Sequence, residues 1–329
     1  MGREGGIPMT QKNMISADAP VLVVGATGNL GGEVVKQLLA RGRKVRTLVR
    51  EGTDPARLAA KGVEIARGDL LDRGSLDRAI DGVGTVVTTA SGYSRRPGAD
   101  PSGLVDDLGN HHLADAARNA KIEKFVFTSI LACEKAPNAP RVWQKKLIED
   151  YLEASGVPFV SIRPGGLLGG EKPVEMWARD LRKGRLTAIG PANVRWSRIL
   201  VEDAARILAL AIDEPRAVGR RIDIGMDRPF SAEEAAGEFS RALGRFVRLR
   251  KLPWPLLNGG AKIAGLVSAS VNDLRTTLEH VFSGQFVADT TAQAELFGRP
   301  PAIDESFCRY LSHLALGPLA CEEPLAVGA

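Results

Sequence analysis

Val23-Val24-Gly25-Ala26-Thr27-Gly28-Asn29-Leu30-Gly31-Gly32 joins an apolar run, "VLVVG" (21–25), to an amphipathic segment, "EVVKQLLARG" (33–42). Glycine lets a chain turn sharply and lets a ligand approach the backbone closely, so three glycines at three-residue spacing (Gly25, Gly28, Gly31) mark a tight loop built for contact. Such a loop also aims unpaired N–H groups and the positive end of the next helix at one spot, which suits a pyrophosphate. On its own the spacing suits a plain tight turn equally well. Strand, glycine loop and helix in this order make the loop residues Gly25, Thr27, Gly28, Asn29, Leu30 and Gly31 a candidate dinucleotide seat.

Outward from the loop, β-branched segments alternate with helical patterns, as in a parallel sheet covered by crossover helices. The strands read at 21–25, 44–50, 63–69, 84–90, 124–129 and 158–164. The fold class is therefore α/β, a doubly wound parallel sheet. After residue 165 helices mix with short strands, a smaller α/β region suited to holding a substrate. We divide the chain into a disordered leader (1–19), a dinucleotide-binding portion (20–165), a mainly substrate-binding portion that returns some elements to the main sheet (166–315), and a flexible tail (316–329).

Composition narrows the function. The chain has 329 residues, 44% hydrophobic and 25% charged, which fits a folded globular protein rather than a disordered one. The longest apolar stretches, such as "ILALAI" (207–212), fall far short of the roughly 20 residues that cross a bilayer, and no secretion signal opens the chain. Cys133, Cys308 and Cys321 lie far apart without metal-ligand spacing, so no metal is expected and a reducing cytoplasm is the simplest setting. A net charge of +5 favours anionic partners, which a phosphate-bearing cofactor satisfies. The basic run "GRFVRLRK" (244–251) alternates Arg with apolar residues as an edge strand does, so nucleic acid is not an expected partner; with no apolar stretch long enough to cross a bilayer, neither is a membrane. A monomer or homodimer is expected.

Nineteen residues beyond Gly31 the second strand ends in Arg50, where a dinucleotide fold meets the adenosine ribose. A carboxylate there would take the ribose 2′-hydroxyl; a guanidinium suits a 2′-phosphate, so the expected cofactor is NADPH/NADP+. Glu51, next door, is the competing ribose ligand. Asp69-Leu70 would reach the adenine, with a helix N-cap as the alternative role of Asp69. Thr89 and Ala90 end the fourth strand in small residues, and Thr128 and Ser129 end the fifth, where ribose or nicotinamide contact and ordinary strand-end bonding are alternatives.

Together "VVGATGNLGGEVVKQLLARG", "TLVR", "GDLLD", "FVFTS", "KKLIEDYLEASGVPFVSIRPGGLL" and "ILVEDAARILALAIDE" resemble the atypical, NmrA-like branch of the short-chain dehydrogenase/reductase superfamily, over about residues 20 to 315. The resemblance implies a Rossmann-like fold and NAD(P)H binding, with Pro164 and Gly165 running past the nicotinamide. It also implies a Ser, a Tyr and a Lys in the site. Only the lysine, Lys145, matches; the tyrosine position is Arg141 and the serine position Ile130. Hydride transfer rests mainly on holding donor and acceptor carbons about 3–3.5 Å apart, so an acceptor that stabilises its own negative charge needs no tyrosine. The leading expectation is thus NADPH-dependent reduction of a ketone on a hydrophobic, aromatic or polycyclic secondary metabolite, similar to tyrosine-lacking ketoreductases of aromatic polyketide tailoring. Reduction of a quinone or C=C bond, and a non-catalytic NADP(H)-sensing role, are the alternatives.

Other residues carry weaker expectations. Tyr93, in "SGYSRRPGAD", is a candidate substrate contact; Tyr151 reads as core; adjacent His111 and His112 diverge around a helix and make no joint site. "WPLLNGGAKIAGLVSAS" (254–270) reads either as a cover over a hydrophobic substrate or as ordinary helix packing.

Overall fold

The structure, a computed structural model, describes residues 19–91, 102–171, 176–266 and 268–316. Tyr93, the proposed leader up to residue 18 and the tail from residue 317 lie outside them. The first half runs β1 (Val21–Val24), α1 (Asn29–Ala40), β2 (Val45–Val49), α2 (Ala56–Ala59), β3 (Glu64–Arg67), α3 (Arg73–Ile80), β4 (Thr85–Thr88), α4 (Asn110–Asn119), β5 (Lys124–Thr128), α5 (Pro140–Ser155) and β6 (Phe159–Pro164). A wide π-helical turn, Ser102–Gly109, leads into α4. The second half runs β7 (Gly166–Leu168), α6 (Met176–Leu181), β8 (Arg185–Ala188), β9 (Arg198–Leu200), α7 (Val201–Asp213), β10 (Arg221–Ile224), α8 (Ala232–Ala242), β11 (Arg248–Lys251), α9 (Trp254–Gly265), α10 (Ala269–Val281), α11 (Thr291–Phe297) and α12 (Ile303–His313).

Seven strands form one parallel sheet in the order β10-β6-β5-β4-β1-β2-β3. This is the Rossmann-like doubly wound order with β10 added at one edge. The chain leaves β3 on one flank and re-enters at β4 beside β1, so a crevice opens at the carboxyl ends of β1 and β4. Strands buried on both faces need apolar side chains on both, and β1 (VLVV) has all four residues buried. One apolar cluster, including Val23, Val34, Leu38 and Ile207, lies on the α1/α7 face. Another, including Leu22, Leu76, Leu113, Phe125 and Ile148, lies on the α3/α4/α5 face. The smaller region has its own core around Trp177, Phe230, Phe239, Phe307 and Tyr310.

Local chemistry sets several boundaries. Lys124 is buried at the start of β5, where its Nζ donates to the carbonyls of Ala211 (3.1 Å), Ile212 (2.7 Å) and Glu214 (3.0 Å), fastening the end of α7 to the sheet. Ser231 and Glu234 form a reciprocal capping box at the head of α8. The cap of α3 is Asp72, whose side chain accepts from Gly74 N–H. Asp69, the sequence-based alternative for such a cap, instead accepts from its own neighbour Leu71 at 2.9 Å. The basic run pairs as expected: β11 adds in parallel to β8 in a two-stranded sheet. Cys133 is a buried free thiol, whereas Cys308 is disulfide-bonded.

Candidate functional site

The glycine loop is built as its spacing requires. Gly25 sits at φ +90°, and a Cβ there would stand 2.7 Å from Thr89 Oγ1. A Cβ on Gly31 would fall 2.2 Å from the Gly25 carbonyl oxygen, so the first turn of α1 presses directly on the loop. Gly28 N–H donates to Gly25 O at 2.9 Å and closes the turn. Of the six loop residues proposed from sequence, Gly25, Thr27, Gly28, Asn29 and Leu30 face the crevice; Gly31 does not and acts by close packing. Asn29 also donates its side-chain amide to Gly169 O at 2.8 Å, tying the loop to the turn after β7.

The crevice is a continuous cavity of about 610 Å³. At its floor it meets the ends of four strands of the main sheet: Val24 of β1, Thr89–Ala90 after β4, Thr128–Ser129 at the end of β5 and Pro164–Gly165 at the end of β6. Leu70 and Arg50 line it as well. Arg50 and Thr53 are shared with a second recess, whose charged lining is Arg50, Arg67 and Arg78 together with Glu51, Asp69 and Asp72. Three guanidiniums and three carboxylates therefore stand around this end of the crevice, and Glu51, the competing ribose ligand, is among them. Arg67 donates to the carbonyls of Arg50 (3.1 Å) and Thr53 (2.8 Å) and so fixes the loop that carries Arg50. Arg67 and Arg78 were not foreseen: they come from β3 and α3, and only the fold brings them beside the end of β2. Asp69 faces this recess rather than the main cavity.

At the other end the wall changes character. Trp196, Phe282 and Phe286 line it with Leu274, Leu278 and Val281 of α10. Arg198 braces this wall from behind, with its guanidinium carbon 3.5 Å from the Trp196 ring centroid and 4.0 Å from that of Trp177. Burial drives its pKa well below the ordinary arginine value.

Arg141 and Lys145 stand one turn apart on α5, and both face the cavity. Lys145 is buried; its Nζ lies 2.9 Å from Asp106 Oδ1 and donates to Ala90 O at 3.2 Å. Asp106, fully buried in the π-helical turn, is the functional partner that sequence reading missed, because a carboxylate 39 positions before Lys145 gives no local signal. Arg141 pairs with Asp273 of α10 at 4.0 Å. Ile130 lines the cavity without any polar atom to offer.

Between α5 and β6 lies a buried polar cluster. Glu149, fully buried on α5, accepts from Ser161 Oγ (2.6 Å), Arg163 Nε (2.9 Å) and Arg163 Nη2 (2.5 Å). Burial alone would raise its pKa, but the hydrogen bonds and charge of Arg163 hold it below the ordinary glutamate value. The same surroundings, chiefly burial and then the Glu149 charge, push the Cys133 thiol up to about 12, so it is not a nucleophile. Tyr151 is half-buried and donates to Asp115 at 2.5 Å, away from the cavity. His111 pairs with Asp107 at 2.9 Å and makes no joint site with His112. Among the described residues no group of side chains could hold a metal ion, and no helix is long and apolar enough to cross a membrane.

Fold and site define a dinucleotide-binding protein of the Rossmann type. The chain belongs to the NmrA-like family, which it matches over residues 17–296. It is similar to the photosystem II assembly factor Ycf39 of Cyanophora paradoxa, 38% identical over 152 residues that cover 46% of each chain. It is also similar to the NAD(P)H azoreductase of Xenophilus azovorans, 29% identical over 234 residues, 69% of this chain and 75% of that one. The matches span 59% and 46% of the length of the first curated relatives. Among solved structures, the NADPH complex of the Escherichia coli quinone oxidoreductase QOR2 superposes with a TM-score of 0.70 at 20% identity, covering 89% of this chain and 99% of that one.

Proposed function

We propose that this chain is an NADPH-dependent reductase of a flat, hydrophobic, conjugated carbonyl compound, an aromatic ketone or quinone. The carrying observation is the polarity of one cavity, with glycine amides and three guanidiniums at one end and aromatic and aliphatic walls at the other. NADPH fits the first end because Gly25 and Gly28 leave the backbone bare there, and because Arg50, which lines both the cavity and the recess, can offer a guanidinium fork to a 2′-phosphate, with Arg67 and Arg78 beside it among the carboxylates Glu51, Asp69 and Asp72. The bound cofactor supplies the hydride.

The remaining work falls to the chain's own residues. Asp106 holds Lys145 against the cavity floor, where its ammonium positions the nicotinamide-side ribose. Pro164 and Gly165 present backbone to the nicotinamide face, and Thr128 and Ser129 flank it. Arg141 cannot serve as the acid that a tyrosine would, because a guanidinium does not release its proton at working pH. It instead stabilises negative charge developing on the acceptor oxygen, and water delivers the proton. Removing such a charge stabiliser costs about 10²–10³ in kcat. The likeness to a relative named as an NAD(P)H azoreductase supports reduction of a conjugated acceptor.

The test is loss of nicotinamide absorbance with panels of quinones and aromatic ketones, for the wild type and Arg141→Met. Turnover that falls about 10²-fold in kcat in the variant with coenzyme affinity kept supports the assignment. Saturable NADPH binding without turnover on any acceptor favours instead a cofactor-sensing, non-catalytic role. The likeness to Ycf39 assembly factors and the apolar Ile130 at the serine position both speak for that second reading.

A further inference from the structure

α9 is amphipathic with the wrong face outward. At about 100° per residue, Trp254, Asn258, Ala261 and Gly265 share one face. That face meets α10: Trp254 packs its ring on Phe282 at 5.3 Å between centroids, Asn258 donates to Glu279 at 2.9 Å, and Gly265 lies against Asn272. The opposite face carries Leu256, Gly259, Gly260 and Ile263, with Leu257 and Ala264 on its flank and Leu266 just past its end, and bears no charged residue. Leu256 is 75% exposed, Ile263 73% and Leu266 85%, and no residue of α9 is buried. A surface helix of a water-soluble domain reverses this arrangement, so the face is built to be covered.

What covers it is indicated by charge. From Arg245 to Leu266 the chain carries Arg245, Arg248, Arg250, Lys251 and Lys262 and not one Asp or Glu. The side chains of Arg248, Arg250 and Lys251 on β11, and Lys262 on α9, are exposed, with Lys251 reaching Glu233 at 2.6 Å. A second copy of this chain would bring like charges together across a two-fold axis, which opposes association. An anionic bilayer accepts both parts: aliphatic side chains enter the acyl boundary while the basic groups meet headgroup phosphates.

We infer that α9 is a monotopic docking helix that seats the protein on an anionic lipid surface. This goes beyond the sequence reading, which expected no membrane partner because no span is long enough to cross. The placement has a consequence for the cavity that rests on the reductase reading. Leu274 of α10, the helix on which α9 packs, lines the cavity and is also 50% exposed, so the cavity reaches the surface at this helical hairpin, and on the docking reading a lipophilic acceptor enters there from the bilayer.

Flotation of the full chain with phosphatidylcholine vesicles, with and without phosphatidylglycerol, tests the docking whether or not the protein proves to be a reductase. The wild type is expected to float with anionic vesicles, to do so about tenfold less in high salt, and to remain with neutral vesicles only weakly. Leu256→Ser/Ile263→Ser is expected to lower the bound fraction at least about tenfold, because two aliphatic side chains no longer enter the acyl region. An unchanged melting temperature and NADPH affinity show that the variant is folded. Arg248→Gln/Arg250→Gln is expected to reduce binding to anionic vesicles and leave the weak neutral binding alone. No flotation of the wild type with anionic vesicles overturns the inference. So does flotation that the serine pair leaves unchanged, or a wild-type dimer that the serine pair converts to monomer without any lipid binding.

Discussion

Alanine at Gly31 is the sharpest test of the loop on which the cofactor assignment rests. The added Cβ would lie 2.2 Å from the Gly25 carbonyl oxygen, 2.6 Å from its carbon and 2.7 Å from Thr89 Oγ1, all well inside the 3.4 Å at which ordinary contact begins. Two of these three atoms are backbone, and Gly25 at φ +90° is held by the Gly28 N–H, so the loop must move as a unit. Overpacking of this kind costs about 1–3 kcal/mol, only partly offset by up to ~1 kcal/mol from better helix propensity. At roughly 2–4 °C per kcal/mol for a chain of this size, the melting temperature should fall by several degrees. Because the displaced atoms form the proposed pyrophosphate seat, NADPH affinity should fall at least about tenfold, or ~1.4 kcal/mol. Gly32→Ala is the internal control. Its Cβ would come no nearer than 3.4 Å to Ala26 O, so the expected change is neutral to a gain of about 0.5–1 kcal/mol. Differential scanning fluorimetry with and without NADPH reads both. A Gly31→Ala protein that melts and binds like wild type, or a Gly32→Ala protein equally damaged, refutes the close-packing account.

Three further outcomes are expected. Lys145→Met strands the buried Asp106 carboxylate and should cost about 3–5 kcal/mol; Lys145→Met/Asp106→Asn should recover most of that stability in urea melts while NADPH affinity stays low, and recovery of both would reduce Lys145 to a structural role. Arg50→Ser should weaken NADPH binding by about 1–3 kcal/mol, leave NADH binding nearly unchanged, and flatten the salt dependence of NADPH affinity; equal loss for both coenzymes would remove Arg50 from the 2′-phosphate. Burial pushes the Asp223 carboxyl up to about 6, so the folded chain holds that proton more tightly than the unfolded one and stability falls as pH rises from about 4 through 6. Asp223→Asn keeps an acceptor for the Asp289 N–H and should therefore stabilise by on the order of 1–3 kcal/mol at about pH 8 and by little at about pH 4; equal gains at both pH values would refute this.

The main sheet was legible because its signals are local. Six of its seven strands fall inside the sequence-read segments, since a β-branched run flanked by glycine declares itself within a few residues. The seventh, β10, was visible only as a short strand. Its place beside β6 depends on pairing Arg221 with Ser161, sixty positions apart, and no periodicity encodes that. The glycine loop and Arg50 were readable because strand, turn and helix follow one another directly. Asp106, Asp273, Arg67 and Arg78 were not, because each reaches its partner only after the sheet closes. The helix 254–265 shows a different limit: its 3.6-residue apolar stripe is plain in the sequence, but periodicity says that a helix has an apolar face without saying which way that face points.

The two cations on α5 share one wall of the cavity. Positions 141 and 145 are one turn apart, so any side chain at 141 projects over the same cavity as Lys145. A tyrosine there would be tuned by the neighbouring ammonium, but two adjacent cations repel, and burying both would be costly without compensation. The fold supplies that compensation from two separate directions, Asp106 from below at 2.9 Å and Asp273 from α10 at 4.0 Å. The looser pair is the one at the acceptor end. Asp273 belongs to the helical hairpin that also carries the outward apolar face of α9, so the contact that sets Arg141 is made by the element proposed to rest on lipid. On these proposals, seating α9 on a membrane would bear through α10 on the residue assigned to the acceptor oxygen, and leave Lys145, held by Asp106 and the Ala90 carbonyl, as it is.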